Sequence, residues 1–326
     1  MNIKDSSKNI DISKEAWEAE KRIRKHIRET PVEHSPFLSQ SGGCKVYLKL
    51  DNLQLSGSFK LRGCMNKLLS LDKKEKEKGV VTASTGNHGA AFAYASQKLG
   101  LKGTIYLPEN SSQAKIEALR YYDVDLKFYG TDCVKTEGFA REEAKRNSLT
   151  YISPYNDIKT IGGQATIGIE LEQQINKIDT VLVPVGGGSL VSGIAGFLKS
   201  IDKNIEIIGC QPVNSAVMYE SIKAGKILDM ESKPTISDGS AGGIEKGAIT
   251  FDICKNLIDD FILVTEDEIK EAIKLVLEKH YMLVEGAAAL SVASFVKEKE
   301  IFKNKDIVLI ISGSKISMDM LREVLC

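Results

Sequence analysis

A lysine with small and apolar neighbours lies at residues 56–63, in the stretch Ser-Gly-Ser-Phe-Lys-Leu-Arg-Gly. An apolar alternation over residues 46–50 precedes it and an apolar pattern of helical period follows it. This places Lys60 in the first turn of a helix, after a strand and a loop. Most lysines are solvated surface charges. Here the small residues leave room for a ligand, and Phe59 offers a flat apolar wall. A lysine desolvated in such a pocket loses its proton more readily and can attack a carbonyl carbon to form an imine.

Two further loops of small residues each follow a predicted strand and open a predicted helix. The first is Ser-Thr-Gly-Asn-His-Gly at residues 84–89, and the second is Gly-Gly-Gly-Ser-Leu at residues 186–190. Amide hydrogens at a helix start can bind an anion, and glycines let the backbone approach a phosphate closely. The alternatives are a plain helix cap for the first loop and a sharp turn for the second. The second loop lacks the Gly-x-Gly-x-x-Gly spacing of a dinucleotide site.

Two polar residues complete the set of candidates. Ser312 follows a buried strand predicted at residues 307–311, where an ordinary polar turn is the alternative. Glu285 precedes a helix of small residues, where the helix dipole alone also favours an acid. Neither residue indicates a function without the other motifs.

In this combination and order, the motifs resemble those of the pyridoxal-phosphate enzymes of the tryptophan-synthase β fold. The chain is most similar to the threonine/serine dehydratase and serine racemase branch, over about residues 30–317. The resemblance implies pyridoxal 5′-phosphate as the cofactor, with Lys60 holding it as a Schiff base, and implies that Lys60 and Thr85 are catalytic. The cofactor-binding residues it implies are Phe59, Lys60, Asn87, Gly186, Gly187, Gly188, Ser189, Leu190, Glu285 and Ser312. The substrate-binding residues it implies are Ser84, Thr85, Gly86, Asn87, His88 and Tyr155.

The resemblance also implies a task for several of these residues. The amide of Asn87 bonds the phenolic oxygen of the cofactor, the 186–190 loop grips its phosphate, and Ser312 faces its pyridine nitrogen. Relatives usually have a fourth glycine where this chain has Ser189. A serine hydroxyl cannot protonate the ring as a carboxylate would, so the ring is a weaker electron sink. That chemistry suits loss of a β-substituent and disfavours transamination.

At three places the chain departs from the family pattern. Thr85 replaces a serine that is an acid/base in serine racemases, and its extra methyl group and stiffer χ1 disfavour racemisation. Gln211 and Val217 replace two acids of a divalent-cation site, and a site without carboxylates holds Ca²⁺ or Mg²⁺ poorly. We therefore expect no metal there. Residues 238–245 also differ from threonine dehydratases, which leaves the substrate open.

Strand and helix patterns alternate along the chain, which predicts an α/β fold with two open parallel-sheet domains. One set of strands is predicted at residues 80–83, 104–107, 125–129 and 150–153. The other is predicted at residues 46–50, 180–185, 206–211, 261–264 and 307–311. We predict a small inserted domain at 79–154 and a large cofactor-binding domain from 1–78 and 155–326, with the ligand cleft between them.

The composition limits the classes of function. The 326 residues carry 44 basic and 44 acidic side chains, so no electrostatic footprint for nucleic acid or an anionic membrane is present. No apolar run approaches the ~20 residues that span a bilayer, and residues 1–14 lack the apolar core of a signal peptide. The six cysteines are scattered, which indicates a reducing cytoplasm. The resemblance implies a homodimer. Because the chain ends soon after Ser312, we expect no C-terminal regulatory domain.

We therefore predict a pyridoxal-phosphate-dependent lyase that acts in amino-acid catabolism. It is expected to dehydrate and deaminate an L-β-hydroxy amino acid, with threonine and serine as the leading substrates, to a 2-oxo acid and ammonia. Lys60 removes the Cα proton in this reading. Three alternatives stay open. They are a dehydratase of a larger 3-hydroxy amino acid such as phenylserine or hydroxyaspartate, an amino-acid racemase, and a non-catalytic protein that binds the cofactor or an amino acid.

Overall fold

The computed structural model describes residues 10–326, and over this range the chain forms 14 α-helices and ten β-strands. The helices are α1 (Ile12–Ile23), α2 (Pro36–Gly42), α3 (Lys60–Ser70), α4 (Lys73–Lys78), α5 (Asn87–Leu99), α6 (Gln113–Arg120), α7 (Cys133–Arg146), α8 (Ile158–Gln174), α9 (Ser189–Ile201), α10 (Val217–Ala224), α11 (Ile249–Leu257), α12 (Glu266–His280), α13 (Gly286–Lys297) and α14 (Met318–Leu325). The strands are β1 (Val32–His34), β2 (Lys45–Leu50), β3 (Val80–Ala83), β4 (Gly103–Leu107), β5 (Asp125–Phe128), β6 (Thr150–Tyr151), β7 (Thr180–Pro184), β8 (Glu206–Pro212), β9 (Asp260–Val264) and β10 (Asp306–Ile311).

The strands form two open sheets. The larger sheet has the order β1-β2-β10-β7-β8-β9, and all its neighbouring strands are parallel except the edge pair β1–β2. The smaller sheet has the order β5-β4-β3-β6 and is parallel throughout. All residues of β7 are buried, as expected for a parallel strand covered by helices on both faces. The predicted α/β fold with two open parallel sheets is confirmed.

Short elements were missed by the sequence analysis. β1 has three residues, too few to show an alternation, and it exists because it pairs antiparallel with residues 47–49 of β2. α2 has seven residues and begins with a Ser35 cap and a proline. α11 lies in a stretch where no helix was predicted. None of these elements has the long periodic pattern on which the sequence predictions of strands and helices depend.

The four strands of the smaller sheet lie within residues 80–151, and the other six lie outside this range. The domain boundaries at residues 79 and 154 themselves stay a prediction. Across residues 10–326, we find no helix with the length and apolar character needed to cross a membrane. The prediction about a signal peptide concerns residues 1–14, of which residues 1–9 lie outside the described part of the chain.

Candidate active site

One cleft collects the loops that follow β2, β7 and β10 of the larger sheet and β3 of the smaller sheet. Ligand sites are common where the carboxyl ends of parallel strands meet. The cleft is lined by Phe59, Lys60, Asn87, Pro184, Gly186, Gly187, Gly188, Ser189, Leu190, Gly239, Ser240, Glu285, Ala287 and Ser312. All ten residues predicted to bind the cofactor are in this set. Of the residues predicted to bind substrate, only Asn87 lines the cleft. Four lining residues were not predicted as site residues, namely Pro184, Gly239, Ser240 and Ala287.

Lys60 is the first residue of α3, and its Nζ donates a 2.9 Å hydrogen bond to the carbonyl oxygen of Pro154. The ring of Phe59 lies beside the amine, with 5.1 Å between Nζ and the ring centroid. Burial lowers the pKa of Lys60 to about 8, while the charge of Glu285 opposes that shift. A larger share of this lysine is therefore a neutral nucleophile at neutral pH than of an ordinary lysine.

The loop before Lys60 is fastened to the loop after β10. The amide of Phe59 donates to the carbonyl of Ser312 at 3.0 Å, and the amide of Ser314 donates to the carbonyl of Gly57 at 3.0 Å. Gly57 has a φ of +77°, a region that favours glycine. Ser312 is 2% exposed and lines the cleft. These backbone hydrogen bonds fix the positions of Lys60 and Ser312 relative to each other.

Residues 186–190 run from the end of β7 into the first turn of α9. Gly188 has a φ of +89°. The first amides of a helix have no acceptor within the helix, and they lie at the positive end of its dipole. A Cβ on Gly186 would lie 2.9 Å from the Ser240 carbonyl oxygen, and a Cβ on Gly187 would lie 2.5 Å from the Tyr155 ring. The loop thus has the free donors and the lack of side chains that a phosphate requires.

The Gly187→Ala variant is expected to bind the predicted cofactor, pyridoxal 5′-phosphate, more weakly. Its added methyl group meets the stem of the Tyr155 ring, which is held by the backbone and cannot swing away. Overpacking of this kind costs about 1–3 kcal/mol, so we expect the cofactor Kd to rise roughly tenfold to hundredfold. Absorbance titration of the apoprotein measures the Kd.

Gly138→Ala on α7 is the matched control, because no described atom lies within 4 Å of a Cβ at this position. We expect its cofactor Kd to equal that of the wild type. Equal Kd values for Gly187→Ala and wild type would show that the loop does not need this close contact.

On another wall of the cleft, Asn87 contacts Glu285. The Asn87 Nδ2 donates to both carboxylate oxygens, at 2.7 and 2.9 Å, and its Oδ1 is buried without a partner among residues 10–326. Burial raises the pKa of Glu285 to about 7, and the bond from Asn87 opposes that shift. Gly313 leaves the carboxylate its space, because a Cβ there would lie 2.5 Å from Oε1. A buried amide with spare hydrogen-bonding capacity fits a ligand that carries polar ring substituents.

The 84–89 loop joins β3 to α5, and its residues Ser84, Thr85 and Gly86 are half-buried. The substrate contact of His88 stays a prediction, and the structure places its side chain against the smaller sheet. Its Nε2 lies 3.0 Å from the carbonyl oxygen of Ile152 and 3.1 Å from the hydroxyl of Thr82, so it is occupied within the smaller sheet. Burial lowers the pKa of His88 to about 3, which keeps the ring neutral.

Tyr155 touches the glycine loop, and it is absent from the cleft lining. Its ring packs on Gly187, and its hydroxyl accepts a 2.9 Å hydrogen bond from the amide of Glu245. Burial raises the pKa of Tyr155 to about 12, so the hydroxyl stays protonated. A direct contact with substrate stays a prediction.

A buried ion-pair network holds the helix that carries Lys60, and the sequence analysis missed it. Arg62 is fully buried and pairs with Asp51 at 2.8 and 2.9 Å and with Glu170 at 2.7 Å twice. Lys49, also fully buried, donates to Glu170 at 2.6 Å. The only signal in the sequence was an arginine two positions after the lysine. Its partner Glu170 is 108 residues away, so spacing could not reveal the pair.

Gln211, which replaces a metal-binding acid of relatives, is 1% exposed and is used in the fold. Its Oε1 accepts a hydrogen bond from the amide of Tyr219 at 2.9 Å. In the part of the chain that the structure describes, no cluster of three histidine, cysteine or acidic side chains could hold a metal ion. The absence of a metal site stays a prediction.

Known proteins resemble the chain over most of its length. A family model described as "Pyridoxal-phosphate dependent enzyme" matches residues 23–313. The catabolic L-threonine dehydratase of Staphylococcus aureus is 39% identical over 305 residues, which cover 92% of this chain and 88% of that protein. The processed form of threonine deaminase isoform 2 from Solanum lycopersicum has a TM-score of 0.93 and 34% identity, covering 98% and 88% of the two chains. Maize serine racemase has a TM-score of 0.91 and 31% identity, covering 97% of each chain.

Proposed function

Because the chain belongs to the family of pyridoxal-phosphate-dependent enzymes, we propose that it is an ammonia-lyase that converts L-threonine or L-serine to a 2-oxo acid and ammonia. The predicted family and its cofactor are confirmed by the match over residues 23–313. The observation that carries the proposal is a lysine with a lowered pKa in one cleft with an anion-binding loop and a serine hydroxyl. A dehydratase and a threonine deaminase among the similar proteins support the reaction.

The residues of the cleft fit the cofactor one by one. Lys60 Nζ is the covalent attachment point, and Phe59 packs beside it. The amides of residues 186–190 would hold the phosphate, and Ser312, which lines the same cleft, would bind the pyridine nitrogen. Asn87 would bond the phenolic oxygen of the ring by donating from its amide Nδ2, the atom that contacts Glu285 in this structure. When bound, the cofactor supplies an electron-withdrawing ring that acidifies the Cα proton of the amino acid.

Lys60 would have a second task whenever its amine is free. The amine would accept the Cα proton of the substrate, and a pKa of about 8 is close to the working pH that favours a general base. The Pro154 carbonyl keeps Nζ in the cleft. Ser312 presents a neutral hydroxyl, so this part of the site adds no charge to the ring nitrogen. The protein therefore favours elimination of the β-hydroxyl over transamination.

The first-turn amides of α5 and the loop of Ser84, Thr85 and Gly86 bind the substrate carboxylate in this proposal. A helix start with half-buried small residues suits an anion that must enter and leave. The likeness to maize serine racemase favours racemisation as a second candidate function. Racemisation requires a group that gives a proton on the face opposite Lys60. Thr85 is the candidate for that group, and its stiff χ1 makes the exchange slow.

The proposal extends to the setting of the enzyme. We place it in the cytoplasm as a homodimer that binds neither nucleic acid nor membrane, with residues 79–154 as an inserted domain. The balanced charge of 44 basic and 44 acidic residues supports the absence of nucleic-acid and membrane partners.

A substrate panel tests the proposed reaction. The holoenzyme is assayed for 2-oxo acid and ammonia with L-threonine, L-serine, phenylserine and hydroxyaspartate, and the remaining amino acid is analysed for its D-isomer. We expect turnover of threonine or serine, with D-isomer formed more slowly than 2-oxo acid. Turnover of phenylserine or hydroxyaspartate alone would show that the substrate is a larger 3-hydroxy amino acid rather than threonine or serine. D-isomer in excess would make the protein a racemase, and no turnover with bound cofactor would make it a binding protein.

The loading of the cofactor is expected to depend on pH through Lys60. Only the neutral amine attacks the aldehyde, so the rate should rise about tenfold per pH unit below pH 8 and level off above it. Because the Glu285 carboxylate raises the pKa of Lys60, Glu285→Gln should move the plateau to lower pH. Stopped-flow absorbance of the apoprotein mixed with cofactor gives the rates. A midpoint near 10.5 would show that the amine is not desolvated.

A further inference from the structure

One short loop, residues 153–156, contacts several parts of the cofactor site at once. The Pro154 carbonyl accepts the hydrogen bond from Lys60 Nζ at 2.9 Å. The ring of Tyr155 packs on Gly187 of the glycine loop. This loop therefore touches both the attachment point of the cofactor and the loop proposed to hold its phosphate.

A second segment holds this loop from outside the cleft. The amide of Glu245 donates to the Tyr155 hydroxyl at 2.9 Å, and the amide of Ile249 donates to the Asn156 Oδ1 at 2.9 Å. Gly242 and Gly247, which flank Glu245, have φ values of +114° and +76°. A segment with such glycines has few constraints of its own, so its position depends on what its side chains contact.

The side chain of Glu245 is anchored to α7 of the smaller-sheet part of the chain. Arg141 Nη2 pairs with Glu245 Oε2 at 2.9 Å, and the same guanidinium lies 4.3 Å from the ring centroid of Tyr151. Arg141 also pairs with Glu137 at 2.7 Å, one turn earlier on α7. Two acids and an aromatic ring thus fix the guanidinium, which makes it a stable anchor.

We propose that Arg141 is a positioning residue of the cofactor site, acting through Glu245 and Tyr155 on Gly187 and Lys60. The inference rests on the proposed function, because it takes the cleft of Lys60 and the glycine loop to be the cofactor site. Arg141 itself is not among the residues that line the cleft. The ion pair between Arg141 and Glu245 positions the backbone amide of Glu245. That amide positions the Tyr155 ring by donating a hydrogen bond to its hydroxyl.

A double-mutant cycle tests the proposal. The cofactor Kd is measured by absorbance titration for wild type, Arg141→Ala, Tyr155→Phe and the double variant, and thermal unfolding is recorded for each. A partly exposed ion pair contributes modestly, so we expect Arg141→Ala to raise the Kd about threefold to tenfold. Tyr155→Phe should raise it by a similar factor. The double variant should show clearly less than the product of the two factors, because both changes break one chain of contacts.

Two further variants make the outcome decisive. Arg146→Ala removes an arginine on the same helix whose partner, Glu143, is within α7, so its Kd should equal that of wild type. Glu245→Gln keeps the size and the backbone amide of the residue, and its effect should match that of Arg141→Ala. Multiplicative effects in the cycle, or an Arg141→Ala Kd equal to that of Arg146→Ala, would overturn the inference. Failure of the wild type to bind the cofactor would instead overturn the proposed function.

Discussion

Replacing Lys60 with alanine is expected to lower kcat for L-threonine or L-serine by at least ~10³-fold, since the variant loses both the attachment point and the general base. The cleft keeps the other groups that we propose to bind the cofactor, including the glycine loop and Ser312, so the variant should still bind the cofactor without a covalent bond. The assay is 2-oxo acid formation by the cofactor-saturated variant, with thermal unfolding to show that it is folded.

Lys67→Ala is the matched control for this prediction. Lys67 lies on the same helix, and its side chain pairs with Asp157 at 2.7 Å instead of entering the cleft. We expect its kcat to stay within about twofold of wild type, because this partly buried ion pair lies outside the cleft. Turnover by Lys60→Ala within tenfold of wild type would remove Lys60 from the mechanism.

The Arg62→Ala variant is expected to lose about 3–5 kcal/mol of unfolding free energy, because it leaves two buried carboxylates without their main partner. Asp51 is 0% exposed and Glu170 is 1% exposed. Lys49 still pairs with Glu170, but the only cation paired with Asp51 in the described chain is Arg62. At roughly 2–4 °C per kcal/mol, the Tm should fall by about 6–20 °C. Differential scanning fluorimetry of the apoprotein measures this shift.

Two comparison variants accompany this prediction: one changes the side-chain geometry at residue 62, and the other removes an arginine from an exposed ion pair. Arg62→Lys keeps a charge but loses the planar fork that meets both carboxylates, so its Tm should lie between those of Arg62→Ala and wild type. Arg146→Ala, at an exposed pair, should change the unfolding free energy by no more than about 0.5 kcal/mol. A Tm for Arg62→Ala equal to that of Arg146→Ala would show that the network does not stabilise the fold.

The parts of the site that the sequence could predict are those encoded by neighbouring residues. Lys60 at the start of α3, Ser189 at the start of α9 and Ser312 after β10 each follow from an apolar run that stops at small or polar residues. These loops meet because their strands are parallel and end at one edge of a sheet, which the alternation of strands and helices also predicts.

What the sequence could not predict depends on partners that are far apart in the chain. The bond from the Glu245 amide to the Tyr155 hydroxyl joins residues 90 apart, and Arg62 reaches Glu170 across 108 residues. His88 is another such case. Its ring contacts the carbonyl of Ile152, 64 residues away, and the loop motif does not reveal this partner. Side-chain direction at a helix start is decided by packing that a local motif does not contain.

Borohydride trapping tests most directly whether the amine of Lys60 carries the cofactor. The holoenzyme is reduced with borohydride, digested and analysed by mass spectrometry for lysines that carry the reduced cofactor. We expect the modification on Lys60 in the peptide that contains residues 56–63, and no modification on Lys49 or Lys315. Stoichiometric modification of another lysine, or of none in a protein saturated with cofactor, would contradict the account.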